Sequence, residues 1–352
     1  MIVFSPSFPW KSRRAFMNAP CRLGIIGAGR IGRLHAENIQ SKLPQFKLVG
    51  IADPYLNEGW ADDLGITVCS TSPKTILTHP EIDAVLIASP SVVHVEHILM
   101  ASEANKAIFC EKPLGLTEET ILSVLSAITR NDTLLQIGFN RRFDPHFSNL
   151  QQRVAKGEIG HPQILKITSR DPACPSKEYI ALSGGLFMDM TIHDFDMARF
   201  IMDSEVVEVF ANGSVLINPE FEAFNDIDTA IVQLRFANGA LGVIDNSRQA
   251  VYGYDQRLEI FGSQGMLWVD NQMQHGVHLL NQHNHSSASP HYFFLERYQQ
   301  AYVNELLAFY QAWSQQRSSP VPGSAGLQAL RIAMAARESF IHRKPVNVSF
   351  EA

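Results

Sequence analysis

The sequence predicts two domains, an α/β domain with a doubly wound parallel sheet and an α+β domain with a mostly antiparallel open sheet. The chain has 352 residues, more than one ordinary hydrophobic core accommodates. Before about residue 140, continuous apolar runs alternate with helix-like stretches, which is typical of a parallel sheet covered on both faces. After Arg141, strand-like runs follow one another through turn-rich joints, which indicates antiparallel strands.

The first domain is predicted to cover residues 21–140. Residues 1–20 precede it as an expected disordered extension, in which translation starts at Met1 or Met17. Amphipathic stretches predict helices at Ile31–Lys42, Val92–Ala104 and Glu118–Thr129. Apolar runs predict six strands: Leu23–Ile26, Lys47–Ala52, Thr67–Cys69, Ala84–Ala88, Ala107–Cys110 and Leu134–Phe139.

The second domain is predicted to cover residues 141–352. Its helices are expected at Asn149–Lys156, in one continuous buried helix after Gly184-Gly185, and at Phe293–Trp313 and Ser324–Ile341. Its strands are expected at Ile164–Thr168, Val206–Val215, Thr229–Phe236, Leu241–Asp245, Arg257–Phe261 and Val346–Phe350. The histidine-rich segment 274–290 has no carboxylate or cysteine at ligand spacing, so a solvated loop is favoured over a metal site.

Composition restricts the class of protein. The net charge is −6 and no Lys/Arg-rich run occurs, which argues against a nucleic-acid partner. No apolar stretch approaches the ~18 residues of a membrane span. The four cysteines form no CxxC pair, and Cys69 and Cys110 lie in strands that are expected to be buried. We therefore expect free thiols, a cytoplasmic location and no metal.

A glycine motif between the first predicted strand and helix indicates a dinucleotide site. Its residues are Gly27, Ala28, Gly29, Arg30, Ile31 and Gly32. In this context the first glycine makes a tight turn, the second lets a pyrophosphate approach, and the third permits close helix packing. The helix N-terminus then faces the phosphates.

Asp53 ends the second predicted strand, where the dinucleotide fingerprint requires an acid. Its carboxylate would accept hydrogen bonds from the ribose hydroxyls and would repel a 2′-phosphate, which favours NAD over NADP. The alternative is a turn or capping residue. Ser89 and Pro90 end the fourth strand at the edge where ligands bind. His94 follows, either facing the cofactor or serving a capping or surface role.

The predicted buried helix places Asp189, His193 and Asp196 at i, i+4 and i+7, on one helical face. We expect Asp189 to orient the imidazole and raise its pKa, so that His193 is a general base for an alcohol. The alternative is a polar stripe with a structural Asp–His pair. Lys112 of Glu111-Lys112-Pro113 is expected at the sheet edge, because a residue before proline favours extended backbone.

These motifs in this order resemble the Gfo/Idh/MocA oxidoreductase family from about Arg22 to Phe350. Within that family the similarity is greatest to the bacterial inositol dehydrogenases. The carrying segments are Gly138–Asp144, Ser169–Pro172, Ser183–Phe200 and Tyr252–Gln256. The resemblance implies an NAD-binding Rossmann domain and a substrate domain whose open sheet makes oligomer contacts, usually in a homotetramer.

The resemblance also implies a Lys–Asp–His catalytic set without metal, here Lys112, Asp189 and His193. The implied substrate contacts are Arg141, Asp171, Asp196 and Tyr254. Besides the glycine motif, the expected cofactor contacts are Asp53, Ser89, Pro90, His94, Glu111 and Lys112.

The implied reaction is NAD-dependent oxidation of myo-inositol to 2-keto-myo-inositol (scyllo-inosose). Two alternatives stay open: a dehydrogenase for another inositol isomer or a pyranose sugar, and a non-catalytic NAD-binding sensor. Some relatives carry His and Asn where this chain has Ser169 and Asp171, so the exact hydroxyl contacts stay open as well.

Overall fold

The computed structural model describes residues 19–349 and confirms the predicted fold class. The proposed extension therefore lies almost wholly outside the described residues, as does Phe350 at the end of the last predicted strand. The strands are β1 (Cys21–Ile26), β2 (Phe46–Ala52), β3 (Val68–Ser70), β4 (Ala84–Ile87), β5 (Ala107–Glu111), β6 (Leu135–Gly138), β7 (Pro162–Arg170), β8 (Val206–Ser214), β9 (Thr229–Phe236), β10 (Leu241–Ser247), β11 (Asp255–Gly262), β12 (Gly265–Val269), β13 (His278–Leu280), β14 (His285–Ser287) and β15 (Val346–Asn347).

Twelve α-helices are found in the described residues. They are α1 (Arg30–Lys42), α2 (Glu58–Asp63), α3 (Pro73–Leu77), α4 (His94–Glu103), α5 (Glu118–Arg130), α6 (Pro145–Ala155), α7 (Lys177–Ser183), α8 (Leu186–Asp189), α9 (Thr191–Met202), α10 (Phe294–Arg297), α11 (Gln299–Gln315) and α12 (Gly323–His342). None of these helices combines the length and the apolar character that crossing a membrane requires.

The chain divides into two compact units. The first comprises the described residues up to Cys110, with Ala127–Gln136 and Leu306–Pro320, and the rest of the chain forms the second. The predicted division had a single boundary after residue 140. The physical difference is that α5 and α11 each continue from one unit into the other, which a linear reading of composition does not reveal.

The first unit is built on a six-stranded sheet with the order β3-β2-β1-β4-β5-β6. Strand β1 pairs in parallel with both β2 and β4, so the strand order reverses at β1. Its inward residues are fully buried, as the continuous apolar run predicted. In open α/β sheets a ligand binds beyond the carboxyl ends of the strands at such a reversal, and the glycine motif begins directly after β1.

The second unit contains a seven-stranded sheet with the order β12-β11-β7-β10-β9-β8-β15. Strands β7 and β10 are parallel, and the other recorded pairs are antiparallel. Helix α9 packs on β7, and α12 packs on β8 and α9. Each strand of the central sheet alternates buried and exposed residues, so one face contacts helices and the other is open.

Three details of the predicted elements are wrong. The single buried helix is interrupted at Met190 and forms α8 and α9. The segment 274–290 is exposed, as expected, but contains the antiparallel hairpin of β13 and β14. Cys69 is partly exposed instead of buried, because β3 has a neighbour on one side and is an edge strand. All four cysteines are free, as predicted.

Candidate functional site

The glycine motif forms the turn between β1 and α1. Gly27 has φ +100°, and a Cβ there would lie 2.5 Å from the carbonyl oxygen of Ala88. A Cβ on Gly32 would overlap the carbonyl oxygen of Gly27. Both positions therefore exclude a side chain. Gly27 is required by its positive φ and by the close contact, and Gly32 is required by the close contact alone.

Gly29 differs from the other two glycines because a Cβ there would meet no heavy atom of the described residues within 4 Å. It caps the N-terminus of α1, whose first turn has neither an acidic residue nor a side-chain cap. The first backbone N–H groups of such a helix, and its dipole, attract an anion. This open cradle suits a pyrophosphate, and the residues of the motif therefore fit a dinucleotide.

Asp53 is tied to the glycine turn by hydrogen bonds. One carboxylate oxygen accepts the N–H of Ala28 at 2.7 Å, and the other accepts the N–H of Tyr55 at 2.7 Å. Each oxygen retains a lone pair for a ribose hydroxyl. The sequence showed no basic neighbour of Asp53, yet the fold brings Arg33 to the same turn, where its Nε donates to the carbonyl oxygen of Ala28 at 2.9 Å.

His94 holds the loop after β4. Its Nε2 lies 2.8 Å from the carbonyl oxygen of Ser89, and the ring is buried. Because that carbonyl can only accept, Nε2 carries the hydrogen. The Ser89 hydroxyl also lies 3.1 Å from Nδ1 of His97, a residue that the sequence analysis did not select. His94 therefore shapes the loop of Ser89 and Pro90 from beneath.

Lys112 follows β5 directly, and its side chain meets Asp189 within the second unit. Its Nζ donates to the main-chain carbonyl oxygen of Asp189 at 2.9 Å and lies 3.4 Å from the carboxylate Oδ1. Both side chains are mostly buried, with 18% and 11% exposure. An ammonium has three N–H donors, so this geometry leaves one for another oxygen. Glu111 lies beside β6, where a Cβ on Gly138 would be 3.0 Å from its Oε2.

The carboxylate of Asp189 has two further partners that the sequence analysis missed. The Tyr179 hydroxyl donates to Oδ1 at 2.8 Å, and Arg248 donates to Oδ2 at 3.0 Å. Burial alone would raise the pKa of Asp189, but the positive charges of Lys112 and Arg248 outweigh it and lower that pKa. Asp189 is therefore a carboxylate fixed in its ionised form.

The break at Met190 explains why Asp189 does not pair with His193. The Thr191 hydroxyl donates to Asn246 at 2.6 Å and lies 3.3 Å from the carbonyl oxygen of Leu186, competing with the regular helix ladder. The N–H of His193 then bonds the carbonyl of Met190 at 3.2 Å, a tighter turn than an α-helix. Within residues 19–349 no hydrogen bond joins Asp189 to His193.

His193 is partly exposed, but its Nδ1 is enclosed and has no hydrogen-bond partner in the described part of the chain. Nε2 is not enclosed in this way, so it is the nitrogen that a substrate can reach. Burial, together with the charges of Lys112 and Arg141, lowers the pKa of His193 well below its ordinary value. The expected rise caused by Asp189 is therefore wrong, because that carboxylate is engaged elsewhere.

Arg141 lies in a buried polar network below these residues. It forms an ion pair with Asp194, in which the two side chains are 6% and 0% exposed. The same guanidinium donates to the Ser169 hydroxyl at 3.3 Å and to the Tyr254 hydroxyl at 3.4 Å. Asn246 donates to the second oxygen of Asp194 at 2.9 Å. The structure thus brings together Arg141 and Tyr254, two of the residues that the resemblance gave as substrate contacts.

Asp196 and Asp171 occupy different surroundings. Asp196 is 1% exposed, and both of its oxygens accept hydrogen bonds from Arg142, which leaves little room for a substrate hydroxyl. Asp171 keeps 26% of its side chain exposed and accepts a hydrogen bond from Arg248 at 3.3 Å. Arg142, Arg248 and Tyr179 were not predicted as site residues, because nothing in the sequence around them identifies the carboxylates that they contact.

Comparison with known proteins gives close relatives over most of the chain. An uncharacterised oxidoreductase, YrbE of Bacillus subtilis, is 49% identical over 92% of this chain and 96% of its own. The myo-inositol 2-dehydrogenase of Thermotoga maritima is 44% identical over 93% and 98%. The crystal structure of scyllo-inositol dehydrogenase from Lactobacillus casei with bound NAD(H) and scyllo-inositol is 30% identical, with a TM-score of 0.88 over 93% and 99% of the two chains.

Two family models match the two parts of the chain. Residues 21–139 match the oxidoreductase family with an NAD-binding Rossmann fold, and residues 147–268 match the C-terminal domain of the same family. The cofactor is NAD, as the sequence predicted. With a match over both parts and a 44% identical relative over nearly its whole length, the chain belongs to the Gfo/Idh/MocA family of oxidoreductases.

Proposed function

We propose that this protein is an inositol 2-dehydrogenase that oxidises myo-inositol to 2-keto-myo-inositol, with NAD as the electron acceptor. The observation that carries the proposal is the Lys112–Asp189 contact, which leaves one ammonium N–H for a substrate oxygen beside a histidine kept neutral. Oxidation of a secondary alcohol requires both a proton acceptor and a stabiliser of negative charge on oxygen. Bound NAD supplies the hydride acceptor.

In this proposal Lys112 binds the oxygen of the hydroxyl that is oxidised. Asp189 holds the ammonium through its carbonyl oxygen and its carboxylate, so that the third N–H has a fixed direction. A preorganised donor of this kind stabilises the developing alkoxide without reorganisation during the reaction. Asp189 thus acts on Lys112, and not on His193 as the sequence spacing suggested.

His193 accepts the hydroxyl proton at Nε2. A neutral imidazole that accepts at Nε2 carries its hydrogen on Nδ1, which is the enclosed nitrogen. The lowered pKa ensures that the ring is neutral when substrate binds. It also makes the imidazolium short-lived, so the proton passes readily onward to solvent through the exposed edge of the ring.

A neutral polyol needs several fixed hydrogen-bonding groups, and we propose Arg141, Asp171 and Tyr254 for its remaining hydroxyls. Arg141 and Tyr254 are held by buried neighbours, and Asp171 is partly exposed. Asp196 was a further candidate from the resemblance, but its ion pair with Arg142 supports a structural role. A buried network that fixes each donor favours one arrangement of substrate hydroxyls over others.

A second candidate is a dehydrogenase for another inositol isomer or a pyranose sugar. The similarity to a scyllo-inositol dehydrogenase specifically supports scyllo-inositol as the competitor. A non-catalytic NAD-binding sensor is a more remote alternative, and the joint presence of Lys112, Asp189 and His193 argues against it.

The test is NADH formation, followed by absorbance, with myo-inositol, scyllo-inositol, other inositol isomers and hexopyranoses at equal concentrations. The proposal requires the highest kcat/KM with myo-inositol, and product analysis should show the 2-ketone. A preference for scyllo-inositol or glucose would favour the second candidate. Binding of NAD with no turnover of any polyol would favour the sensor.

The open face of the seven-stranded sheet supports our proposal of a homotetramer. Apolar side chains on adjacent strands of that face are 40–58% exposed. They are Ile164, Ile231, Leu241, Phe261, Met266 and Trp268. Strand register aligns Met266, Phe261, Ile164 and Leu241 in one row. A contiguous apolar patch of this kind marks an interaction surface.

The four free cysteines agree with a cytoplasmic location.

A further inference from the structure

Arg248 lies between two carboxylates of the proposed site. One terminal nitrogen donates to Asp189 at 3.0 Å, and the other donates to Asp171 at 3.3 Å. The side chain of Arg248 is 4% exposed. Within the described residues, Arg248 is the one side chain with hydrogen bonds to both carboxylates. Its fork-shaped guanidinium is suited to such bridging, whereas an ammonium is a single point charge.

The two carboxylates need this charge because they repel each other. The pKa of Asp171 is raised, first by burial and then by the negative charge of Asp189, while Arg248 opposes both effects. The other groups that face Asp189 are Lys112 and Tyr179, and Arg141 also acts on Asp171. Without Arg248, Lys112 would still face Asp189, but Asp171 would lose its hydrogen-bonded cation beside a second carboxylate, so its pKa would rise further and it would take up a proton at higher pH.

We propose that Arg248 is a positioning residue that keeps Asp189 and Asp171 ionised and correctly oriented, the first for holding Lys112 and the second for a substrate hydroxyl. Arg248 acts through these carboxylates and does not contact the reacting atoms. The catalytic part of this inference rests on the proposed function. Its electrostatic part does not, because the repulsion between the two carboxylates and the opposing charge of Arg248 are the same whatever the substrate is.

The kinetic test compares Arg248→Gln with Arg248→Lys in the full chain with NAD and myo-inositol. In Arg248→Gln, one carboxylate gains a proton at higher pH, so the acid limb of kcat/KM should move up by at least ~1 pH unit. Arg248→Lys retains the positive charge and should move the acid limb most of the way back to its wild-type pH. Arg248→Gln combined with Asp171→Asn removes the repulsion and should also return it, whatever its effect on KM.

A matched control is Arg199→Gln. Arg199 forms a forked ion pair with Glu205 in the same unit, away from Asp189 and Asp171. The Arg199→Gln substitution removes an arginine–carboxylate pair of similar geometry, so the pH profile of this variant should stay that of the wild type. If Arg248→Gln keeps the wild-type limb, or if Arg248→Lys is as impaired as Arg248→Gln with no change in pH profile, the positioning role is refuted and Arg248 only fills space.

A second readout separates this inference from the proposed function. In Arg248→Gln the pKa of one carboxyl group is higher in the folded state than in the unfolded state. The protonated group therefore stabilises the fold at low pH, and this contribution is lost as pH rises. The Tm deficit relative to wild type should therefore grow between pH 5 and pH 8, and Asp171→Asn should reduce it. A deficit independent of pH contradicts the inference. If the wild type oxidises no polyol, the proposed function fails, and the Tm series still decides the electrostatic claim.

Discussion

Lys112 contacts Asp189 through two oxygens of the same residue, the main-chain carbonyl at 2.9 Å and the carboxylate Oδ1 at 3.4 Å. The sequence spacing had instead assigned Asp189 to His193. The shorter bond is to a backbone carbonyl at the end of α8, and the carboxylate adds the second contact that fixes the direction of the ammonium. Lys112 is therefore the residue whose replacement affects chemistry most directly.

Lys112→Ala should lower kcat at least ~10²-fold, because it removes a fixed donor to the developing alkoxide. NAD affinity, measured by calorimetric titration, should stay close to that of the wild type. Lys156→Ala is the matched control, since Lys156 is an exposed lysine that caps α6. Activity of Lys112→Ala near the wild-type value would show that the lysine is a bystander.

Asp53 should make NAD the preferred cofactor over NADP. Its carboxylate would oppose a 2′-phosphate, and we expect kcat/KM with NAD to exceed that with NADP at least ~10-fold. Asp53→Asn removes the charge, so it should reduce this ratio, and its single amide oxygen can accept from only one of the N–H groups of Ala28 and Tyr55. Arg33, at the same turn, would then favour the phosphate. A wild-type ratio at or below one contradicts the assignment.

The Arg141–Asp194 pair should contribute far more to stability than an exposed pair. Asp194→Asn leaves a buried guanidinium without its counter-charge, and should lower the free energy of unfolding by about 3 kcal/mol. Glu158→Gln breaks the Arg153–Glu158 pair, whose side chains are 47% and 39% exposed, and should change it by less than about 1 kcal/mol. Urea unfolding of both variants measures the contrast. Equal losses would show that Ser169 and Tyr254 suffice to hold Arg141.

Much of the fold was predictable because its signals are local. Buried parallel strands appear as continuous apolar runs, and the glycines of the β1–α1 turn form a short motif, although the contact that excludes a side chain at Gly27 is with the distant Ala88. The place of Lys112 directly after β5 was predictable for a similar reason, since it follows an apolar strand and precedes a proline. The edge strand β12 and the short helix α7 were missed because neither has a long enough periodic pattern.

The site was less predictable because its geometry depends on partners far apart in sequence. The helix break at Met190 depends on the contact of Thr191 with Asn246, 55 residues away. That break changes which groups meet Asp189. Helical periodicity also selected Asp196 for the site. The carboxylate that contacts Arg141 belongs instead to Asp194, and this ion pair joins residues that are 53 positions apart in sequence. Arg248 has no local pattern at all.

The last prediction concerns the pH dependence of the reaction. If His193 is the base, it must be neutral, so kcat/KM should fall as pH drops through the pKa of the histidine in the free enzyme. Burial and the charges of Lys112 and Arg141 lower that pKa, so the acid limb should lie below the ordinary histidine value of about 6.5. Stopped assays from pH 4.5 to pH 9 locate the limb.

A second group complicates the assignment of this limb. Burial raises the pKa of Asp171 above its ordinary value and lowers that of His193, so the two values shift toward each other. Interacting groups show joint apparent pKa values, so the position of the limb alone does not assign it to one of the two groups. Asp171→Asn removes the carboxyl group and should leave a limb that belongs to His193. His193→Ala should abolish most turnover and remove that limb from the residual rate. A limb that survives His193→Ala unchanged, or one that lies above about 6.5 in the wild type, would mean that another group accepts the proton.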